Sequence, residues 1–493
     1  MMLMKNQIIK LLSVVTACAA IAACDADFEN PVQGNAGNSG DADLSKFVTI
    51  GDSLTAGYAD GALYKSGQED SYPAILAQQF AKVGGDANFT QPLVSDDLGG
   101  LLAGVIQITD NRLVLNLTDP DSPSPEVVAG TPTTEVMSNL GGTYYSNLGV
   151  PGAKSFHLGA PGYDDGAGIL AGTANPYFVR MASSSALTAG TTMITDAATQ
   201  APSFFVLWIG NNDVLSYAST GGIGVDQQGN PDPSTYGSDD ITDPTAFAGV
   251  YAGLVGALTA NPATQGVLVN IPDVSTIPYF TTVPYNAVPL DQATADYLNG
   301  LYAPYNGGVA TALGAGSAET IKRTINFTAG QNAVIIEDEY LTDLSGGGLP
   351  SMRQATADDL LVLTAKTEIG LGGGTAYALG DNFVLIPEEK ALVAAATSAF
   401  NANIKAAADA NPNLILVDSS AIMQEISTTG IDYGTGAINA TYATGGAFSL
   451  DGIHPTARGY AVVANRIIDA INDGFNASIP AVNPGDYSTI FVK

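Results

Sequence analysis

Phe47-Val48-Thr49-Ile50-Gly51-Asp52-Ser53-Leu54 is an apolar run that breaks at a glycine and delivers an Asp-Ser pair. The run predicts a short strand over 47–50. Gly51 lets the chain leave that strand sharply. Ser53 is then expected at the start of a helix, where free N–H groups and the helix dipole favour negative charge. That is a suitable place for a nucleophilic hydroxyl and the oxyanion it creates. On residues alone the same string also reads as an Asp or Ser cap on an ordinary turn.

Outward from this step the pattern alternates. Wholly apolar runs at 204–209, 266–271 and 414–417 predict strands covered on both faces. Helical spacing is expected over 72–83, 246–260, 387–410 and 455–472, the third opened by Glu388 and Glu389. Strands alternating with helices argue for an α/β fold, a parallel sheet with helices on both faces. Three long Gly- and Pro-broken stretches, 86–142, 219–244 and 311–385, read as insertions, with a lid or subdomain as their expected form.

Composition narrows the function. The chain has 493 residues, 48 Asp and Glu against 17 Lys and Arg, and a formal net charge of −31. Such a field repels nucleic acid. Two His and two Cys exclude a disulfide scaffold and most zinc sites. Residues 1–23 read as a secretory leader: Lys5 and Lys10 precede an apolar stretch too short to span a bilayer. The leader ends Ile21-Ala22-Ala23-Cys24, which resembles a bacterial lipobox. That resemblance implies cleavage before Cys24, lipidation of its thiol, and a lipid-anchored place in the cell envelope, most simply the outer membrane. The acidic run 25–29 is similar to export tags of surface lipoproteins in Bacteroidetes-type bacteria and reads equally as a solvated linker. Residues 24–45 are expected as a flexible tether, and 46–493 as the folded domain. No later apolar run is long enough to cross a membrane, so contact with one is expected only through the anchor.

Asp451-Gly452-Ile453-His454-Pro455 stands before the last predicted helix. Pro455 suits a first helical position and biases His454 towards extended backbone. A spacing of three lets one turn aim both side chains into one site. His454 can take a serine proton, and Asp451 can orient the ring and stabilise its charged form. Two further blocks offer oxyanion donors: the Gly152 N–H within 147–153, and the Asn212 amide in Gly210-Asn211-Asn212-Asp213. Gly149 is a second reading of the first block.

These four blocks, in this order, resemble the SGNH (GDSL) hydrolase family. The resemblance implies a flavodoxin-like three-layer α/β/α domain. It casts Ser53 as nucleophile and oxyanion donor, Gly152 and Asn212 as further donors, and Asp451 and His454 as the rest of the triad. Asn270-Ile271-Pro272-Asp273 and Val417-Asp418 are similar to lesser family segments. The 238 residues between Asn212 and Asp451 exceed what a compact member needs.

Other candidates are weaker. Gly149 to Ser155 lacks the Gly directly before Lys that a phosphate loop needs. Gly166-x-Gly168-x-x-Ala171 follows Asp164-Asp165 rather than a strand, which argues against a dinucleotide turn. The acidic stretch 226–243 lacks calcium-loop spacing and reads as a solvated loop. His157 reads as structural rather than pocket-lining, Trp208 as core, and the Tyr-rich stretch 279–305 as a half-buried surface. The reading as a whole is a serine ester hydrolase acting on a lipid or small-molecule ester, with no metal or organic cofactor. Its alternatives are a carbohydrate O-acetyl esterase and a non-catalytic surface binder on a retained scaffold.

Overall fold

The computed structural model describes residues 37–119 and 123–493. The leader, Cys24 and the first part of the expected tether lie outside the described residues. Residues 37–45, expected as the end of that tether, instead pack on the domain. Asp41 N–H donates to the Phe475 carbonyl at 2.7 Å. Ala42 and Leu44 are buried. The apolar side chains at 42 and 44 gain more from burial than the glycines around them lose in freedom.

Five strands form the central sheet: β1 Phe47–Gly51, β2 Asn147–Gly149, β3 Phe204–Trp208, β4 Gln265–Val269 and β5 Leu414–Val417. All pair in parallel, in the order β2-β1-β3-β4-β5. This is a doubly wound order whose direction switches between β1 and β3, where such sheets open a crevice at their carboxyl ends. β1 and β3 at the centre of the sheet are buried on both faces, which explains their nearly unbroken apolar sequences, whereas β5 at the edge is half-exposed in its middle. In β3, Phe204, Val206 and Trp208 face one layer, and Phe205 and Leu207 the other.

The principal helices are α1 Ser53–Ala56, α2 Tyr72–Lys82, α3 Asn212–Ser219, α4 Pro244–Leu258, α5 Gln292–Leu313, α6 Pro387–Asp409 and α7 Ala457–Gly474. Helices α2 and α7 pack on the Phe204 side of the sheet. Helices α4 and α6 close the other face, where Phe247 of α4 stacks on Phe400 of α6 at 4.2 Å. Helix α7 starts later than expected. Thr456 is its cap and accepts the Gly459 N–H, so Pro455 lies ahead of the helix and not at its first position.

The insertions acquire their own structure. Within 86–142, a three-stranded sheet and a hairpin, Leu113–Asn116 with Ser124–Val127, replace the expected loop. The hairpin also holds the C-terminus, through Leu115 N–H to the Phe491 carbonyl at 2.8 Å. Residues 219–244 remain irregular. The third insertion begins before 311. It takes in α5, whose Leu298, Tyr302, Tyr305 and Val309 form a separate small core with Ile325, Phe327, Ile335 and Met352. Tyr302 and Tyr305 are therefore interior, and their hydroxyls donate to the Thr375 and Met352 carbonyls. Among the described residues, no helix is long and apolar enough to cross a membrane.

Candidate active site

The switch-point crevice holds the residues singled out in the sequence. Ser53 opens α1, two residues after the end of β1. Asp52, fully buried, caps that helix by accepting the Leu54 N–H at 3.0 Å. Its other oxygen accepts from the Asn211 amide at 2.8 Å. Asp52 thus ties the Ser53 turn to Asn211, the cap position of α3. Burial pushes the Asp52 carboxyl up to about 6, against the pull of its hydrogen bonds to Asn211 and Leu54.

Asp451 and His454 arrive on the turn before α7. His454 Nε2 lies 2.9 Å from Ser53 Oγ, and its Nδ1 lies 2.9 Å from Asp451 Oδ2. Asp451 Oδ1 accepts the Ile453 and His454 N–H groups, each at 2.8 Å. Its Oδ2 also accepts the Gly61 N–H at 2.9 Å. Burial acts to raise this carboxyl. The His454 charge and the hydrogen bonds overcome it and hold Asp451 at about 2, so it is ionised across the physiological range.

The turn at 59–62, which sequence reading missed, fixes the loop that carries Asp451 and His454. Asp60 is buried with φ +54°, uncommon for a residue other than glycine. Its carboxylate accepts the Leu450 N–H at 2.9 Å and the Tyr64 hydroxyl at 3.0 Å, and its own N–H donates to Ser449 Oγ at 2.9 Å. Only the Asp-Gly pair at 60–61 hints at this in the sequence. Tyr58, also unforeseen, sets its ring 4.7 Å from the His454 imidazole.

The surroundings of Gly149 and Gly152 separate two readings that the sequence left open. The Gly149 N–H is already bonded to Asn147 Oδ1 at 2.9 Å. A Cβ on Gly149 would lie 2.2 Å from the Ala56 nitrogen, so this glycine serves the close packing of β2 on α1. Gly152 is exposed, with φ +78° and open space where a Cβ would stand. Its N–H has no hydrogen-bond partner among the described residues. The Asn212 amide donates to the Ala153 carbonyl at 3.0 Å, and Asn212 lines the same cleft as Gly152.

Two networks hold that corner. Asp213, fully buried, accepts from Ser155 through the hydroxyl at 2.7 Å and the main-chain N–H at 2.8 Å. Asn175, which carried no role in the sequence, donates to the Pro151 carbonyl at 2.8 Å and caps the helix that brings in Tyr177. Ser53, Tyr58, Gly152, Tyr177, Asn212, Leu215 and His454 line one cleft of about 350 Å³.

The remaining candidates have structural roles. His157 is stacked on Tyr163 at 4.6 Å and accepts the Lys154 N–H on Nδ1 at 3.0 Å. Burial, then the Lys154 charge, lowers it to about 4, so it is neutral and packed. Trp208 is core, with its indole N–H on the Asn270 carbonyl at 3.1 Å. Asn270 bonds Asp418 and the Ser419 N–H, so the 270–273 and 417–418 segments brace each other across β4 and β5. The 166–171 stretch is a short 3-10 helix, not a strand-to-helix phosphate turn.

No family model matches the chain, and no curated protein or solved structure matches it either.

Proposed function

We propose that this protein is a serine ester hydrolase of the SGNH type, with a flavodoxin-like α/β/α core. The observation that carries the reading is the continuous relay Ser53–His454–Asp451, with 2.9 Å at both of its links. Ser53 Oγ attacks the ester carbonyl as His454 Nε2 takes its proton. Asp451, ionised, keeps the Nδ1–H pointed at itself and stabilises the imidazolium. The Ser53 and Gly152 N–H groups and the Asn212 amide receive the oxyanion. His454 then protonates the leaving alcohol. Water, deprotonated by the same nitrogen, releases the acid from Ser53 and restores the enzyme. The chemistry calls for no metal or organic cofactor.

Aromatic and aliphatic walls at Tyr58, Tyr177, Leu215 and Ile453 support an acyl ester as substrate, from a lipid or a small molecule. The hydroxyls of Thr109, Ser216 and Ser219 on the same cleft favour a second reading, an O-acetyl esterase of decorated carbohydrate. The reading places the mature chain at the cell envelope, tethered through a lipid on Cys24. Hydrolysis of p-nitrophenyl esters from acetate to palmitate tests it. Ser53→Ala should lose at least about 10³-fold in kcat while keeping the wild-type Tm. Turnover no higher in the wild type than in Ser53→Ala at every chain length would refute the general-esterase reading. A peak at medium or long chains selects the lipolytic form, and a sharp acetate preference the carbohydrate form.

A further inference from the structure

Glu339, Asp381 and Glu389 bring one carboxylate oxygen each within 4.8 Å of one another. The first two belong to the third insertion, and Glu389 sits in the first turn of α6. Glu389 is fully buried. One of its oxygens accepts the Ile386 N–H at 2.9 Å and so caps α6. The other, Oε1, is buried with no hydrogen-bond partner. A buried carboxylate oxygen without a partner is costly and calls for a ligand.

The surroundings make the cost larger. Among the described residues, none of the three carboxylates forms an ion pair. The charges acting on Asp381 are those of Glu339, Glu337 and Asp338, all negative. The backbone is shaped to the cluster as well. Gly221 and Gly222, just after α3, have φ of +71° and +86°. A Cβ on Gly222 would fall 2.1 Å from Glu389 Oε1, and one on Gly221 2.1 Å from the Asp381 carbonyl oxygen. Only glycines let the turn come this close.

We propose that Glu339, Asp381 and Glu389 form a calcium-type divalent cation site that fastens the third insertion, the 219–222 turn and the start of α6 to one another. The donors are all oxygen and mostly anionic, which suits a hard cation and excludes a zinc-type thiolate or imidazole site. The ion supplies the partner that Oε1 lacks and cancels the mutual repulsion. The acidic stretch 226–243 offers no such set. Asp240 accepts the Val225 and Gly237 N–H groups, and Asp243 those of Gly229, Thr245 and Ala246.

The test is calcium titration of the chelator-treated protein, followed by calorimetry and thermal unfolding, with magnesium beside it. The expected result is one saturable calcium site and a Tm rise of about 3 °C at calcium a hundredfold above its Kd. Magnesium should bind at least about tenfold more weakly, because it gives up its water less readily. Glu389→Gln keeps an oxygen for the Ile386 N–H and removes the anionic ligand. It should abolish calcium binding. Asp381→Asn, on a half-buried partner, should weaken calcium binding at least about tenfold, and it carries the test if the first variant does not fold. Absence of a saturable site for calcium in the wild type overturns the proposal. So does magnesium binding as tight as calcium, or a calcium response that survives Asp381→Asn at full affinity.

Discussion

Asp451→Asn is the perturbation whose outcome the geometry fixes most tightly. Asp451 Oδ1 accepts two main-chain N–H groups, from Ile453 and His454. Oδ2 accepts one, from Gly61, beside the imidazole. An Asn must place its NH₂ at one of these positions. At Oδ1 it would oppose two fixed donors, and at Oδ2 only one, since the ring can change tautomer. The amide therefore settles with NH₂ towards His454 Nδ1. The ring then carries its proton on Nε2 and cannot take the one on Ser53 Oγ. The expected fall in kcat is about 10³–10⁴-fold, or roughly 4–5.5 kcal/mol. The unsatisfied Gly61 N–H costs about 1–3 kcal/mol of stability, which lowers Tm by only about 1–3 °C. Ester hydrolysis reads the first figure. The tautomer is read directly by ¹⁵N–¹H NMR of the imidazoles, because the chain has only two His to assign. A kcat within tenfold of wild type, or a ring that keeps its Nδ1–H, would refute the tautomer argument.

Other outcomes follow from the buried groups around the triad. Asp52 and Asp60 are both raised to about 6 by burial, so between about pH 4 and 6 the folded state holds protons that the unfolded chain has released. Each removes roughly 3 kcal/mol as pH rises through that window, whereas Asp451, held at about 2, contributes stability that is lost as pH falls towards that value. Urea unfolding across pH 4–7 measures the slope, and Asp60→Asn should flatten it; an unchanged slope would clear Asp60 of the effect. Gly149→Ala forces a Cβ to 2.2 Å from the Ala56 nitrogen and should displace β2 from α1, with loss of soluble or active protein. Gly152→Ala has open space, so it should cost only about 1–2 kcal/mol for its φ of +78°. A Gly149→Ala variant as stable as Gly152→Ala would contradict the packing role.

The central strands were legible because they are buried on both faces and so read as continuous apolar runs, and Phe204–Trp208 was placed to within a residue for that reason. Leu414–Val417, half-exposed at the sheet edge, was placed by its unbroken aliphatic sequence, while β2 is only Asn-Leu-Gly and carries no such run. The insertions were not, because short hairpins such as Leu113–Asn116 with Ser124–Val127 owe their pairing to partners elsewhere, here the C-terminal residues. Helix α5 was missed as part of the third insertion because its Tyr residues looked like a surface. Their burial depends on Ile325, Phe327 and Met352, which come later in the chain.

By itself the sequence determined which chemistry is available: a serine after a strand-ending glycine, an Asp and a His three apart, and an Asn after a second strand. Local spacing permits this, since a turn of three residues can put Asp451 beside His454. The tertiary structure decided what those groups touch. It brought Ser53 and His454 together across 401 positions. It turned Gly152 outward and locked Gly149 inward, and it stacked His157 away from the cleft. It hung the triad loop on Asp60. The carboxylates 339, 381 and 389 meet only because an inserted lobe folds onto the first turn of α6. Long-range contacts of this kind leave no period or spacing in a sequence, because the packing energy that creates them is shared among residues far apart along the chain.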